Sequence, residues 1–372
     1  MLGTLLLAFL LVPTRQQPTN PRSHISVPPS FQSLSNAAQH ARESNQNDEA
    51  IELYRRALSL RPEWDEGLWY LGNLLYGESR FASTRDVLRQ FVALRPDAGA
   101  GWALLGMSEF QVREYPRALD HLRRSMALGM GDRAELKQSV FYTTTVLLTR
   151  FEQYDDSIGF LFGMVYSGQC DGPVLDAAGL AGLRIPLLPS EIPVDRRELI
   201  ELAGKGLCAA QQGQNDQALM SLRAMAEAYP GEPGVHFLLG SFLMNVSSEE
   251  GIAEMKREIE ISPSHVPARN RLAEQYVKTG EFDRALDLAR QARKLAPKNF
   301  SVDLTMGEAL LGKGDIAEGI QELEDARTLA PDNTRVRWDL VRAYGQAGRA
   351  EDARKEKQEI ERLSHQDANP AP

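Results

Sequence analysis

Side chains able to do chemistry are few in this 372-residue chain, and their spacing suits little of it. The six histidines, His24, His40, His121, His236, His265 and His365, never stand three or four residues apart, the spacing that lets two imidazoles on one helix face share a metal. The metalloprotease helix, the Gly-x-Ser-x-Gly elbow and the phosphate loop are all missing from the sequence. Gly312-Lys313-Gly314 has the composition of a phosphate turn, yet it falls between two helical runs, as Gly280 does, where glycine closes a helix. Asp155-Asp156 and Glu249-Glu250 each begin a helical run, where carboxylates favour the dipole. Ser247 with Glu250 has the spacing of a capping box rather than of a catalytic dyad. Cys170 falls near the end of one helix and Cys208 roughly 10 residues into another, about 15 Å along it. A bridge needs Cα atoms within roughly 7 Å, so two separate buried thiols are expected unless the segment between folds back. No histidine or second cysteine stands at ligand spacing to either. The expectation is a chain with no catalytic residue, no cofactor and no metal: not an enzyme.

What the chain does repeat is a proline. Pro62, Pro96, Pro230, Pro263, Pro297 and Pro331 fall at steps of 34, 134, 33, 34 and 34, each closing a helical run. Proline has no N–H to donate and drives the residue before it out of the helical region. Small and apolar residues recur upstream: Ala50, Tyr54 and Ala57 before Pro62, and Leu272, Ala273, Tyr276, Ala285, Ala289 and Ala292 before Pro297. Trp102, Leu105 and Gly106 set a bulky knob beside a glycine hole, and Ala118 lets the facing backbone close up. Glu281 to Ala296 has apolar residues at three- and four-residue intervals, with Arg284, Asp287, Arg290, Arg293 and Lys294 on a solvated face. A period near 34 means helical hairpins stacked in a solenoid.

These residues resemble the tetratricopeptide repeat (TPR) family: Trp or Leu, then Leu-Gly or Leu-Ala, Tyr, Ala, and a terminal Ala and Pro. The resemblance covers most of residues 31–364, in units 31–64, 65–98, 99–132, a degenerate 138–171, 199–232, 233–265, 266–299, 300–333 and 334–364. It implies an all-α, right-handed superhelical solenoid of antiparallel helix pairs with one non-repeat insertion. Departures are local: Met130 stands for the third unit's proline, Ser157 and Met164 for alanines in the fourth, and Gly251 and Glu258 for alanines in the sixth. In the family, the second, fifth, ninth and twelfth positions of each unit line a concave binding face. Carried over, these are Glu66, Trp69, Asn73 and Tyr76 in the second unit, Phe237, Ser241 and Met244 in the sixth, Asn270 and Glu274 in the seventh, and Arg335, Trp338 and Arg342 in the ninth. Trp69, Asn73 and Tyr76 share a helix face; Trp69 and Trp338 fit a groove-facing or a packing place equally. The family's clamp for a C-terminal carboxylate needs basic residues on neighbouring units, and the second and sixth units carry Trp, Asn, Phe and Ser instead.

Composition agrees with an extended helical protein: 42% hydrophobic, 25% charged and 7% aromatic, with a net charge of −9 that argues against a nucleic-acid partner. Leu2 to Val12 is apolar apart from Gly3 and Thr4, too short to span a bilayer, and reads as a signal peptide or N-terminal anchor (residues 1–12), although no Lys or Arg precedes it. Residues 13–30, rich in proline, read as a disordered linker to an N-terminal block at 31–169. Residues 170–198 break the period with a helix at Val174 to Leu183 and then a strap that packs Ile185, Leu187, Leu188, Ile192 and Val194, or serves as a lid, with a hinge where stacking breaks. A C-terminal block at 199–364 closes with a charged last helix, Glu351 to Leu363, before a frayed tail at 365–372. The expected function is a protein-interaction scaffold binding peptide or protein partners, exported to the bacterial envelope, as exported bacterial proteins that resemble this chain are, or cytoplasmic if the N-terminal segment is not a signal. The alternative is an accessory subunit selecting substrates for a separate enzyme such as a glycosyltransferase.

Overall fold

A computed structural model describes residues 30–166 and 170–368; the expected signal segment and most of the proline-rich linker lie outside the described residues. Nineteen α-helices and no strand occur among the described residues. By contact density the chain divides at Gly67 into two units. In the first, α1 (Phe31–Glu43) pairs with α2 (Asn47–Leu60), burying Leu34, Ala38, Ala41, Ala50, Ile51 and Tyr54. Trp64 closes that unit, edge-on to Phe31 at 5.2 Å and stacked on Tyr54 at 5.6 Å.

Beyond the α3 helix (Asp65–Gly77), helices pair and stack in chain order. The pairs are α5 (Gly99–Gln111) with α6 (Tyr115–Leu128), following α4 (Phe81–Leu94), and then α7 (Ala134–Arg150) with α8 (Tyr154–Tyr166). After α9 (Gly172–Gly182) come α10 (Arg197–Gln211) with α11 (Asn215–Ala228), α12 (Val235–Leu243) with α13 (Ser248–Ile261), and α14 (Val266–Lys278) with α15 (Phe282–Leu295). The last are α16 (Phe300–Lys313) with α17 (Ile316–Leu329) and α18 (Thr334–Gln346) with α19 (Ala350–Ala368). Each of α4, α6, α11, α13, α15 and α17 also touches the helix that follows it, so one apolar seam runs along the array instead of a central core.

Local chemistry sets both ends of every pair. The second helices end at Leu60, Leu94, Ala228, Ile261, Leu295 and Leu329, each two residues before its repeat proline. The turn inside a pair holds a left-handed residue: Asn45, Ser79, Arg113, Gly280, Gly314 and Gly348 all have positive φ. There the amide of the next residue reaches back to the carbonyl five earlier, Gln46 N to Ala41 O at 2.8 Å and Glu281 N to Tyr276 O at 2.8 Å, which satisfies carbonyls the helix end leaves open. The glycine hole is real: a Cβ on Gly106 would stand 2.9 Å from Leu122 Cγ and 3.0 Å from Ala118 O. Trp102 Nε1, His236 Nε2 and the Arg337 guanidinium each donate to the proline carbonyl six residues earlier, Pro96, Pro230 and Pro331.

Most departures from the repeat are filled by specific contacts. Ser157 donates to Thr145 O at 3.0 Å and shares a hydrogen bond with Thr149. Glu258, fully buried, receives Gly234 N at 2.8 Å and Phe237 N at 3.2 Å, so its carboxylate caps the short α12; burial nevertheless pushes its pKa up. A Cβ on Gly251 would meet Met244 N at 2.8 Å. Ser247, by contrast, makes no side-chain capping bond, because its backbone alone enters α13; the capping box is absent.

The insertion differs most from expectation. α9 packs on α8 and α10, and α8 also touches α10, so stacking continues where a hinge was expected. Backbone carbonyls of Ile200 and Leu175 occupy the space a Cβ on Gly179 or Gly204 would need, which is how α9 and α10 come so close. That crossing folds the segment back and brings the Cα atoms of Cys170 and Cys208 to 6.2 Å, and the two sulfurs are joined in a disulfide in place of separate thiols. The strap then packs Ile185, Leu187, Leu188 and Ile192, tied by Arg150 to Pro186 O at 2.8 Å, but Val194 is 86% exposed. α19 stays helical to Ala368, past the point expected to fray.

Candidate interaction groove

The first helices of residues 235–346 carry six of the carried-over positions along two adjoining recesses. The larger, a cavity of 540 Å³, lies between the α9–strap corner and the starts of α12, α14 and α16; Arg184, Phe237, Ser241, Asn270, Arg271 and Ser301 line it. The smaller, 410 Å³, is bordered by Lys278, Glu308, Arg335 and Arg342. Glu274 faces both. The positions nine places into successive units therefore run on as one strip, because α14 touches α16 and α16 touches α18.

Polar groups on this strip are linked to one another. Asn270 Nδ2 donates to Glu274 Oε1 at 3.1 Å and to Ser301 Oγ at 3.0 Å, while Arg271 pairs with Glu274 Oε2 at 3.2 Å. Arg335 donates to Glu308 Oε1 at 2.9 Å, and Arg342 pairs with Asp339. Burial pushes the Glu308 carboxyl above its ordinary value, with the Asp339 charge adding to burial and Arg335 opposing it. Burial works against the Arg335 charge, but Glu308, Glu274 and Asp339 outweigh it and hold the guanidinium above its usual range. Cations and carboxylates alternate along the strip, so it presents donors and acceptors in turn, as the backbone of an extended segment does. Trp338 stands between Arg335 and Arg342 in sequence with half its surface exposed.

The other carried-over residues lie elsewhere. Glu66 is exposed in the first turn of α3, its amide on Asp65 Oδ1. Trp69 is half-buried, 5.3 Å from Phe91 with the Arg133 guanidinium 5.0 Å above it. Asn73 donates to Trp69 O at 2.7 Å, and Tyr76 packs edge-on against Phe81, where burial raises its phenol pKa. These three are already occupied with neighbours. Met244 belongs to the core with Met255, not to the groove.

Glu308 and Ser301 went unnamed in the sequence reading although they hold the ninth and second places of the eighth unit, the offsets that located Glu274 and Arg335. Arg184 had no such signal, because it comes from the insertion. No group of three His, Cys, Asp or Glu side chains among the described residues is placed to hold a metal. Among the same residues no helix is long and apolar enough to cross a membrane.

Tetratricopeptide repeat family profiles match residues 35–83, 71–133 and 310–371. Among solved structures, MamA of AMB-1 is 26% identical over 43% of this chain and 96% of its own, with a TM-score of 0.38. MamA of Desulfovibrio magneticus RS-1, from its residue 41 to the end, is 17% identical over 46% of this chain and 96% of its own, with a TM-score of 0.39. No curated protein matches.

Proposed function

This chain belongs to the tetratricopeptide repeat family, whose repeats serve protein interaction, and from that premise we propose that it is a non-enzymatic scaffold holding peptide or protein partners in the bacterial envelope. The observation that carries the reading is the strip of alternating cations and carboxylates joining two recesses across α14, α16 and α18. Arginine and an exposed tryptophan are the side-chain types that anchor interfaces. Export is supported by the apolar Leu2 to Val12 run and by the Cys170–Cys208 bridge, since disulfides persist in oxidising compartments.

The test is a crosslinked capture from envelope extract with the full chain and an Arg335→Ala, Trp338→Ala double variant. Both residues are exposed, so the variant should fold; loss of a defined protein by the variant alone supports the groove. Retention of that protein at full strength would move the binding face off α18. Alkylation of the chain in intact cells before reduction tests the location, and two freely modified cysteines would count against an oxidising compartment.

A further inference from the structure

We propose that Arg184, delivered by the inserted segment, makes the larger recess a receptor for an acidic stretch of a protein partner, with an apolar side chain seated beside the acidic one. This rests on the groove taking protein segments and names the kind of segment it takes. Arg184 follows α9 with a left-handed backbone, φ +56°, and its side chain lines the recess. Its guanidinium lies 4.7 Å from the Tyr154 ring centroid and 5.9 Å from that of Phe237, leaving its edge for an anion. Its ion-pair partner is Asp155 at 3.2 Å, a carboxylate whose side chain is 88% exposed. The Arg184 side chain is 20% exposed, but its partner carboxylate stands almost wholly in water, which screens the pair. Asp155 holds the place that a partner's carboxylate would take.

The surroundings favour the same sign. Lys298, exposed in the turn between α15 and α16, lines the recess and has no ion-pair partner among the described residues. Arg269, on α14 and 7% exposed, is likewise without a carboxylate partner among those residues. Burial drives the pKa of His265 down to about 4, and the charges of Arg184 and Arg269 add to it. Glu274, the other carboxylate facing the recess, is already taken by Asn270 and Arg271. Phe237, Phe300 and Leu329 supply apolar wall, Leu329 being 41% exposed. A chain with net charge −9 would repel an acidic partner almost everywhere else, so this recess also selects where such a partner docks.

The experiment is fluorescence anisotropy on the full chain with three labelled peptides that differ only at their centre: Asp-Glu-Phe, Asn-Gln-Phe or Lys-Arg-Phe. The acidic peptide is expected to bind about tenfold more tightly than the amide one. Arg184→Gln and Lys298→Gln should each remove most of that preference without weakening the amide peptide, Asp155→Asn should tighten the acidic peptide, and Arg184→Glu should turn the preference towards Lys-Arg-Phe. Lys298 lies in an exposed turn and reports even if Arg184 variants misfold, which circular dichroism would show. Equal binding of acidic and amide peptides, unchanged by Arg184→Gln and Lys298→Gln, overturns the acidic assignment and leaves the scaffold reading standing. If none of the three binds, the groove reading falls with it.

Discussion

His265 shows how a single side chain ties packing to solution conditions. Its Nδ1 accepts the Ala268 amide at 3.0 Å as the N-cap of α14, a role open only to the neutral ring. Burial and two arginines hold its pKa at about 4 against an ordinary 6.5, so the unfolded chain binds this proton first. Stability from His265 is therefore full above about pH 6.5 and is lost as pH falls towards 4, by at most about 3 kcal/mol. Chemical denaturation from pH 7 to pH 4 measures it. His265→Asn, which keeps a cap but does not titrate, should flatten that slope, and an unchanged slope would assign the effect to other groups. Arg113 offers a second test: it is exposed in a left-handed turn that glycine fills at Gly280, Gly314 and Gly348. Arg113→Gly should raise stability by about 0.5–1 kcal/mol, read from the denaturation midpoint. Neither role is visible in sequence, because a cap and a left-handed turn at non-glycine residues carry no marker beyond their place in the repeat.

At the scale of the element, the repeat register predicts a missing partner. Arg337 is bonded to Glu356, 19 residues on, at 2.6 Å, and its counterpart two prolines earlier in the pattern, Arg269, finds Leu288 at that offset. The Arg269 Nε atom is buried without a hydrogen bond. Leu288→Glu should be more stable than Leu288→Gln by about 1–3 kcal/mol in thermal or urea unfolding. A smaller difference would mean that the two helices do not share the geometry of α18 and α19. Helix ends, turns and small-residue crossings were legible in the sequence because each is set within one unit by proline, glycine or alanine. Glu258 capping α12, three glutamates brought to His121, His236 and His265, and the return of α9 onto α10 were not. Those depend on which helix stands next door, and no spacing along the chain records that. The groove was half legible for the same reason: the offsets found Asn270, Glu274, Arg335 and Arg342, but Arg184 enters from outside the repeat.

For the molecule as a whole, contacts are mostly between neighbours, so stability is a sum over pairs and interfaces rather than the property of one core. The Cys170–Cys208 bridge acts on that sum locally, closing a loop of 38 residues around α9. Its loss, by reduction or by Cys170→Ser with Cys208→Ser, should cost about 2–4 kcal/mol, and amide exchange should rise first in α9 and α10. Uniform loosening along the array would contradict so local a role. The left-handed turn residues Gly280, Gly314 and Gly348 stand 34 apart, with nearly interchangeable surroundings. The length of this protein is thus quantised: excising residues 281–314 joins one turn to its twin in phase, whereas a cut of 30 or 38 residues leaves two helix faces out of step. Duplication and loss of whole units are then the cheapest moves open to its gene, and a groove can be lengthened or shortened without redesigning any part of it.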